Sequence, residues 1–181
     1  NLLTTGRRFK AENILDRSFP IYEIERGGDV TLHGPGQLVV YPILKLNAGR
    51  FPGGLHEYLR FMEEAVIQIL SEFGLEAGRF GPTGVWIRTQ GQIKKIASLG
   101  IAVRRWVTYH GLAINVENEL SHFQKIRPCD FEASVMTSLR NEGIQISVRE
   151  LSERIKTWME LELSRRQPLL LPALGVAENC G

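Results

Sequence analysis

The residue best suited to covalent chemistry in this sequence is Cys129, in the segment KIRPCDFEASVMTSL. Pro128 rigidifies the chain before it, and Lys125 and Arg127 add positive charge, which favours the nucleophilic thiolate over the thiol. A lone cysteine is more often an inert core residue than a nucleophile, so both interpretations stay open at this point. Cys180 lies in a stretch without a structural pattern and is a poor candidate for a positioned nucleophile.

A second candidate functional segment is the glycine-rich stretch RGGDVTLHGPGQLVVYP at residues 26–42. Its four glycines can adopt positive φ angles and let another group approach the backbone closely. The alternative is a wide hairpin with bulges, but a hairpin needs only one or two such residues. We therefore expect Arg26 and His33 to flank a substrate-binding wall with backbone N–H groups facing it.

Other groups that can carry chemistry are spread along the sequence. The four histidines, at positions 33, 56, 110 and 122, include no pair four residues apart, so the pattern predicts no metal site. His110 precedes a glycine at an expected turn before a strand, which suits a site wall, whereas the histidines at 56 and 122 are expected at the surface. Lys94 and Lys95 are typical of solvated charges, and spacing alone links neither to the cysteine.

Composition limits the class of protein. The 181 residues fit one globular domain, and no apolar run approaches the roughly 20 residues that a membrane helix requires. The net charge of +2 is too small to indicate nucleic acid binding, although it tolerates an acidic protein partner. The two cysteines form no CxxC pair and suggest neither a disulfide framework nor structural zinc. We therefore expect a soluble protein in a cytoplasmic, reducing setting, without nucleic acid or membrane partners.

The hydrophobic pattern predicts the elements that would position these groups. Strands are predicted at 21–25, 37–44, 84–88, 99–107 and 112–116, with the glycine-rich stretch as a loop between the first two. Apolar residues three and four apart predict a helix from Leu55 to Gly74, and a capping box of Ser147 and Glu150 predicts the start of a second helix. Strands and helices mix without strict βαβ alternation. This favours an α+β or mixed-sheet α/β fold, with one domain at residues 1–165 and a C-terminal tail at 166–181.

Several segments resemble, in order, the octanoyltransferases of lipoate biosynthesis, or lipoyl(octanoyl) transferases, which are relatives of the biotin and lipoate protein ligases. The segments are RGGDVTLHGPGQLVVYPIL, GVWI, KIASLGIAVRRWVTYHGLAINV, and FQKIRPC followed by TSL, and LTTGRRFKAENIL resembles the family's early segment. The resemblance runs from about Leu3 to about Leu139, and residues 140–181 match weakly. It implies a fold like the catalytic domain of those ligases. The family usually has a further upstream segment, which this chain is expected to lack.

The resemblance implies a cysteine/lysine acyltransferase that needs no metal, ATP or other cofactor. Such an enzyme takes an octanoyl group from octanoyl-acyl carrier protein. It places the group on a lysine of lipoyl domains, those of 2-oxo acid dehydrogenases and of glycine cleavage H protein. Carried over residue by residue, the resemblance makes Cys129 the nucleophile and Lys95 its activating partner. It implies a substrate-binding wall of Arg26, Gly27, Gly28, Asp29, Val30, Thr31, Leu32, His33, Ser98, Leu99, Gly100, Gly111, Leu112 and Ala113.

One departure from the family pattern lies beside the expected nucleophile, and two alternatives stay open. Asp130 stands where the family usually has glycine, and we expect its carboxylate to disfavour the thiolate or its Cβ to restrict the backbone. An ATP-dependent ligase that activates free lipoate or octanoate would share the fold, but adenylate chemistry needs no cysteine. A non-catalytic module that binds acyl carrier protein or lipoyl domains is the third candidate, suggested by Asp130 and the expected missing segment.

Overall fold

The computed structural model describes residues 1–46 and 49–166, with the backbone but not the side chain of Cys129. A first, mixed sheet has the strand order β2-β1-β3, with β1 parallel to β2 and antiparallel to β3. Its strands are β1 (Leu2–Thr5), β2 (Ile21–Glu23) and β3 (Thr31–His33). Short 3-10 helices pack beside this sheet and close a small core of Leu3, Ile14, Val30, Leu32, Phe123, Ile126 and Met136.

The second sheet is antiparallel and carries five strands in the order β4-β8-β7-β6-β5. Strands β7 and β8 are neighbours, so two of the predicted wall segments lie side by side: Ser98 pairs with Ala113 and Gly100 with Gly111. The strands are β4 (Gln37–Val40), β5 (Glu76–Gly78), β6 (Val85–Thr89), β7 (Gln92–Arg104) and β8 (Val107–Asn115).

Two helices, α1 (Gly54–Glu72) and α2 (Val148–Arg165), pack against the second sheet and form the main core with it. Their buried residues recur at spacings of three and four, which gives each helix one apolar face. The Ser147 hydroxyl caps α2 by accepting the Glu150 backbone N–H at 3.1 Å, as the capping box predicts. Within the described residues, neither helix has the length and apolar character needed to cross a membrane.

The predicted fold class is confirmed, with corrections in the strands. The expected loop over residues 26–36 contains strand β3, because Leu32 is buried in the small core. The strand predicted at 99–107 contains a turn at Arg105 and Trp106, whose φ angles of 51° and 65° reverse the chain between β7 and β8. The strand predicted at 112–116 accordingly begins earlier, at Val107. The predicted tail, with Cys180, lies outside the described residues except for Arg166.

Candidate active site

A cavity opens between the glycine-rich loop and the hairpin of β7 and β8. The loop is tied to the sheet by the Gly27 N–H, which donates to the Ile101 carbonyl at 2.8 Å. All the predicted wall residues line this cavity except Gly27, which lines a second cavity, and Leu32, which is buried in the small core. Lys95 lines it too, as do Tyr41 and Pro128, which were not predicted as wall residues, and His110, whose sequence context suited a site wall.

Glycine is required where backbones approach each other in this wall. A Cβ on Gly111 would lie 1.9 Å from the Val40 carbonyl oxygen, so β4 and β8 can pair at this point only with glycine. A Cβ on Gly100 would lie 2.8 Å from Arg26 Cδ and 2.9 Å from the Gly27 carbonyl oxygen. The glycine-rich loop can therefore rest directly on the sheet, which places its backbone in the cavity wall.

Lys95 places a buried amino group in this wall. Its exposed fraction is 1%, and its strand position is fixed by pairing with Trp86 on β6 and a bridge to Met136. Its Nζ donates to the Thr83 carbonyl at 3.1 Å and lies 5.3 Å from the centre of the Trp86 ring. Burial of an ammonium is costly unless polar or aromatic partners compensate it. The expectation of solvated lysines is therefore wrong for Lys95, whereas the neighbouring Lys94 is only partly buried.

Cys129 lies in a short 3-10 turn, Pro128–Asp130, that borders both cavities. Pro128 lines the first cavity together with Lys95, and Asp130 lines the second, so the backbone at position 129 passes between them. The second cavity has a volume of about 440 Å³ and shares Gly28, Asp29, Leu99 and Gly100 with the first. The role of Cys129 as the nucleophile stays a prediction, because its side chain lies outside what the structure describes.

A polar network anchors this turn, and nothing in the sequence pattern indicated it. Asn13 Nδ2 donates to Asp29 Oδ2 at 2.5 Å and to Asp130 Oδ1 at 2.8 Å, so one buried amide bridges the glycine-rich loop and the cysteine turn. Lys10 Nζ pairs with Asp130 Oδ2 at 2.6 Å, and its backbone N–H donates to Asp29 Oδ1 at 3.0 Å. The network holds together three segments that are distant in sequence.

Asp130 is held in a conformation that suits glycine. Its φ angle is 66°, in the left-handed region that glycine adopts most easily. Glycine is also the usual residue at this position in the family that the sequence resembles. Hydrogen bonds from Asn13 and Lys10 lower the pKa of the Asp130 carboxyl, so the group is a paired carboxylate. This pairing reduces the effect that its charge can have on a neighbouring thiolate.

Two histidines contribute polar but predominantly neutral groups to the wall. His33 Nδ1 lies 2.8 Å from Gln37 Oε1, and burial lowers the pKa of His33. His110 packs edge-to-face on Tyr41, and burial, followed by the positive charge of Arg26, lowers the pKa of His110. The turn expected at His110 is wrong, since this residue lies inside β8 with a φ angle of 59°. Among the described residues, no group of three His, Cys, Asp or Glu could hold a metal ion.

Comparisons of sequence support the resemblance seen in the motifs. Residues 2–160 match the lipoyl protein ligase A/B catalytic domain. The octanoyltransferase of Geobacter metallireducens is 52% identical over 137 residues, which cover 75% of this chain and 62% of that protein. The octanoyltransferase of Pelobacter propionicus is 47% identical over 179 residues, which cover 95% of this chain and 78% of that protein.

Solved structures share the fold at low sequence identity. Lipoate-protein ligase A bound with ATP superimposes with a TM-score of 0.70 at 18% identity, covering 90% of this chain and 69% of that one. A mutant biotin protein ligase from Aquifex aeolicus, bound to biotin, gives a TM-score of 0.51 at 14% identity, covering 91% of this chain and 71% of that one. The predicted likeness to the ligase catalytic domain is confirmed. Together with the sequence match over residues 2–160, these findings show that the chain belongs to the lipoyl protein ligase A/B catalytic domain family.

Proposed function

We propose that this chain is an octanoyltransferase that moves an octanoyl group from octanoyl-acyl carrier protein to a lysine of lipoyl domains. The observation that carries the proposal is the buried Lys95 in a cavity wall that also contains Pro128, the residue before Cys129. Relatives that bear the name octanoyltransferase, at 47% and 52% identity, support the same activity. The acceptors include the lipoyl domains of 2-oxo acid dehydrogenases and glycine cleavage H protein, and the setting is cytoplasmic.

The first half of the reaction transfers the acyl group to the enzyme. The Cys129 thiolate attacks the carbonyl carbon of the donor thioester, a new S–C bond forms, and the bond to the carrier sulfur breaks. The departing carrier thiolate takes a proton from the Lys95 ammonium. The products are an octanoyl thioester on Cys129, a free carrier thiol and a neutral Lys95.

The second half transfers the acyl group to the acceptor. The unprotonated amine of the acceptor lysine attacks the Cys129 thioester, a C–N bond forms, and the C–S bond breaks. Neutral Lys95 accepts the proton that the amine loses, so one residue acts as acid and then as base. The thiolate and the ammonium are restored at the end of the cycle, and no external cofactor is consumed.

The acyl chain would extend from the second cavity, of about 440 Å³, into the first, because the first alone has a volume of about 50 Å³, too small for eight carbons; apolar residues line the first cavity. Val30, Leu99, Leu112 and Ala113 face it from the loop and from two strands. Burial of an octanoyl chain contributes about 5 kcal/mol, at about 0.8 kcal/mol per methylene. Each methylene therefore changes binding by about fourfold, which gives a graded preference for chain length.

The proposal is tested by incubating the protein with octanoyl carrier protein and a lipoyl domain in the absence of ATP. We expect the lipoyl domain to gain the mass of one octanoyl group, and a lipoyl domain with its acceptor lysine changed to arginine to gain none. Transfer only from free octanoate with ATP would instead identify a ligase, which the shared fold of lipoate-protein ligase A makes the second candidate. Binding of either partner without transfer would identify a non-catalytic module.

A further inference from the structure

A buried carboxylate lies behind the peptide group that accepts the Lys95 ammonium. Glu63, on α1, has an exposed fraction of 1%, and its Oε1 accepts the Gly84 backbone N–H at 3.2 Å. The carbonyl of the same peptide group, Thr83 O, accepts a hydrogen bond from Lys95 Nζ at 3.1 Å. A single peptide unit therefore connects the carboxylate on the helix to the ammonium in the cavity wall.

Two arginines hold the Glu63 side chain in place. Its Oε2 pairs with Arg60 Nη1 at 2.6 Å and with Arg79 Nε at 2.8 Å, while Oε1 faces the peptide. Replacing a buried ion pair by apolar residues is often neutral or stabilising, so packing alone does not require a carboxylate on this face of α1. The hydrogen bond that Oε1 accepts from Gly84 indicates that the carboxylate does more than fill space on this face of the helix.

The peptide is also packed directly against the lysine. Gly84 has a φ angle of 137°, and a Cβ at this position would lie 2.7 Å from Lys95 Cε and 2.6 Å from the Ala97 carbonyl oxygen. The Thr83–Gly84 peptide can therefore reach the ammonium only because residue 84 lacks a side chain. A small rotation of this peptide would move its carbonyl away from Lys95.

We propose that Glu63 is a positioning residue for Lys95, acting through the Thr83–Gly84 peptide. By accepting the N–H, the carboxylate fixes the orientation of the peptide and strengthens its carbonyl as an acceptor, because linked hydrogen bonds polarise one another. The carbonyl then holds the ammonium at the cavity wall. The predicted loss of acyl transfer rests on the proposed function, whereas the link from Glu63 to Lys95 does not.

The test compares Glu63→Gln with Glu64→Gln, which is a matched control on the same helix. Both residues pair with Arg79, but only Glu63 contacts the peptide, whereas Glu64 accepts from Arg79 Nη2 at 2.8 Å. The glutamine side chain keeps the volume and removes the charge. Neither substitution changes the other charged or titratable groups that the described residues place around Lys95, namely Arg26, Asp29, His33 and His110 across the cavity and Arg60 and Arg79 behind Glu63.

The readout is the titration of the Lys95 Nζ signal, followed by NMR of protein labelled with ¹³C and ¹⁵N in lysine and assigned with Lys95→Met. In Glu63→Gln, we expect the midpoint of the Lys95 titration to fall by about half a pH unit or more, because the charged form of Lys95 loses the stabilisation that the carboxylate provides. We expect acyl transfer to fall on the order of a hundredfold, as for a misplaced reactive group. Glu64→Gln should match the wild type in both measurements.

The titration and the activity separate two kinds of failure. An unchanged Lys95 midpoint in folded Glu63→Gln would overturn the positioning role, whatever the activity. A wild-type protein that transfers no octanoyl group would overturn the proposed function, while a shifted midpoint in Glu63→Gln would still support the positioning role. If Glu63→Gln does not fold, Glu63→Asp tests the hydrogen bond to Gly84 by itself, and an unchanged Lys95 midpoint in that variant would overturn the positioning role. This variant keeps the charge but withdraws the carboxylate by about 1.5 Å, beyond hydrogen-bond reach of Gly84.

Discussion

The lysine and the cysteine of the candidate site are held in contrasting ways. Lys95 lies inside the second sheet, with its side chain 1% exposed and its strand paired on both sides. Cys129 lies in a three-residue turn tied down by side-chain contacts, and the Lys10–Asp130 pair among them is about half exposed. The core thus fixes one reactive group, whereas a few separable polar contacts fix the other. Changes on either side should therefore reduce stability, but activity should fall further for changes at the lysine than for changes near the turn.

The largest effect on acyl transfer is expected from substitution of Lys95. Lys95→Ala should slow acyl transfer by about 10²- to 10⁴-fold, because the thiolate loses its ammonium and the acceptor amine loses its base. It should also lower the free energy of unfolding by about 1–3 kcal/mol, since the Thr83 carbonyl loses a donor in the core. Transfer rates and thermal unfolding measure both effects. Lys94→Ala is the control and should stay near the wild type; equal losses in both variants would show that the wrong lysine was assigned.

A smaller effect is expected where the network anchors the cysteine turn. Asn13→Ala removes the amide that bridges Asp29 and Asp130, and it should slow acyl transfer by about 10- to 100-fold by loosening the turn. The cost in unfolding free energy should be about 1–3 kcal/mol, because the buried Asp29 loses a donor. Asn141→Ala, at an exposed asparagine, is the control. Full activity in Asn13→Ala would mean that the turn is positioned without this network.

The same contrast explains how much the sequence could predict. The wall formed by β7 and β8 was predictable from its resemblance to the family's motifs, whereas the strand pattern alone misplaced the turn between the two strands. Strands β1, β3 and β5 were not predicted, because three or four residues carry too little periodicity unless, as around β2 and β4, the flanking sequence extends the pattern. The contact between Asn13 and Asp130 spans 117 residues, and Glu63 resembles its neighbour Glu64 on an amphipathic helix. Pairwise contacts of this kind depend on the folded chain and leave no local signal.

Substitution of Asp130 separates the effect of its backbone conformation from the effect of its carboxylate. Because the residue has a φ angle of 66°, Asp130→Gly should fit the backbone and unfold at a higher temperature than Asp130→Ala, which keeps a Cβ without the hydrogen bonds. Acylation by Asp130→Gly should slow by about tenfold, since the substitution releases the turn from Asn13 and Lys10 but leaves the backbone in a conformation that glycine adopts without strain. A much faster Asp130→Gly would show that this carboxylate disfavours the thiolate, as the sequence suggested.

The smallest effect is expected in the ion pair between Asp16 and Lys125, at the end of the 3-10 helix that leads to the turn. The hydrogen bond from Lys125 lowers the pKa of Asp16 from 3.8 to about 2. A carboxyl whose pKa is lowered by folding stabilises the folded state at pH values above its ordinary pKa. For Asp16 this contribution disappears as the pH falls from about 4 to about 2. Asp16→Asn should therefore be slightly less stable than the wild type in urea at pH 6, with the difference vanishing near pH 2.

A control separates this ion pair from the general effect of charge. Glu153→Gln removes one exposed carboxylate on α2, far along the chain from the turn. Its stability difference from the wild type should not follow the titration of Asp16. An Asp16→Asn difference that persists unchanged at low pH would exclude the ion pair as its source.

The central claim, a covalent acyl-enzyme on Cys129, is tested most directly by the intact mass of the protein after mixing with octanoyl carrier protein without an acceptor. We predict that the wild type and Cys180→Ala each gain one octanoyl group, that hydroxylamine removes it, and that Cys129→Ala stays unmodified and inactive. Cys129→Ser should also fail or nearly fail, because a hydroxyl is far less acidic than a thiol. Acylation of Cys180, or full turnover by Cys129→Ala, would contradict the assignment of Cys129 and the mechanism built on it.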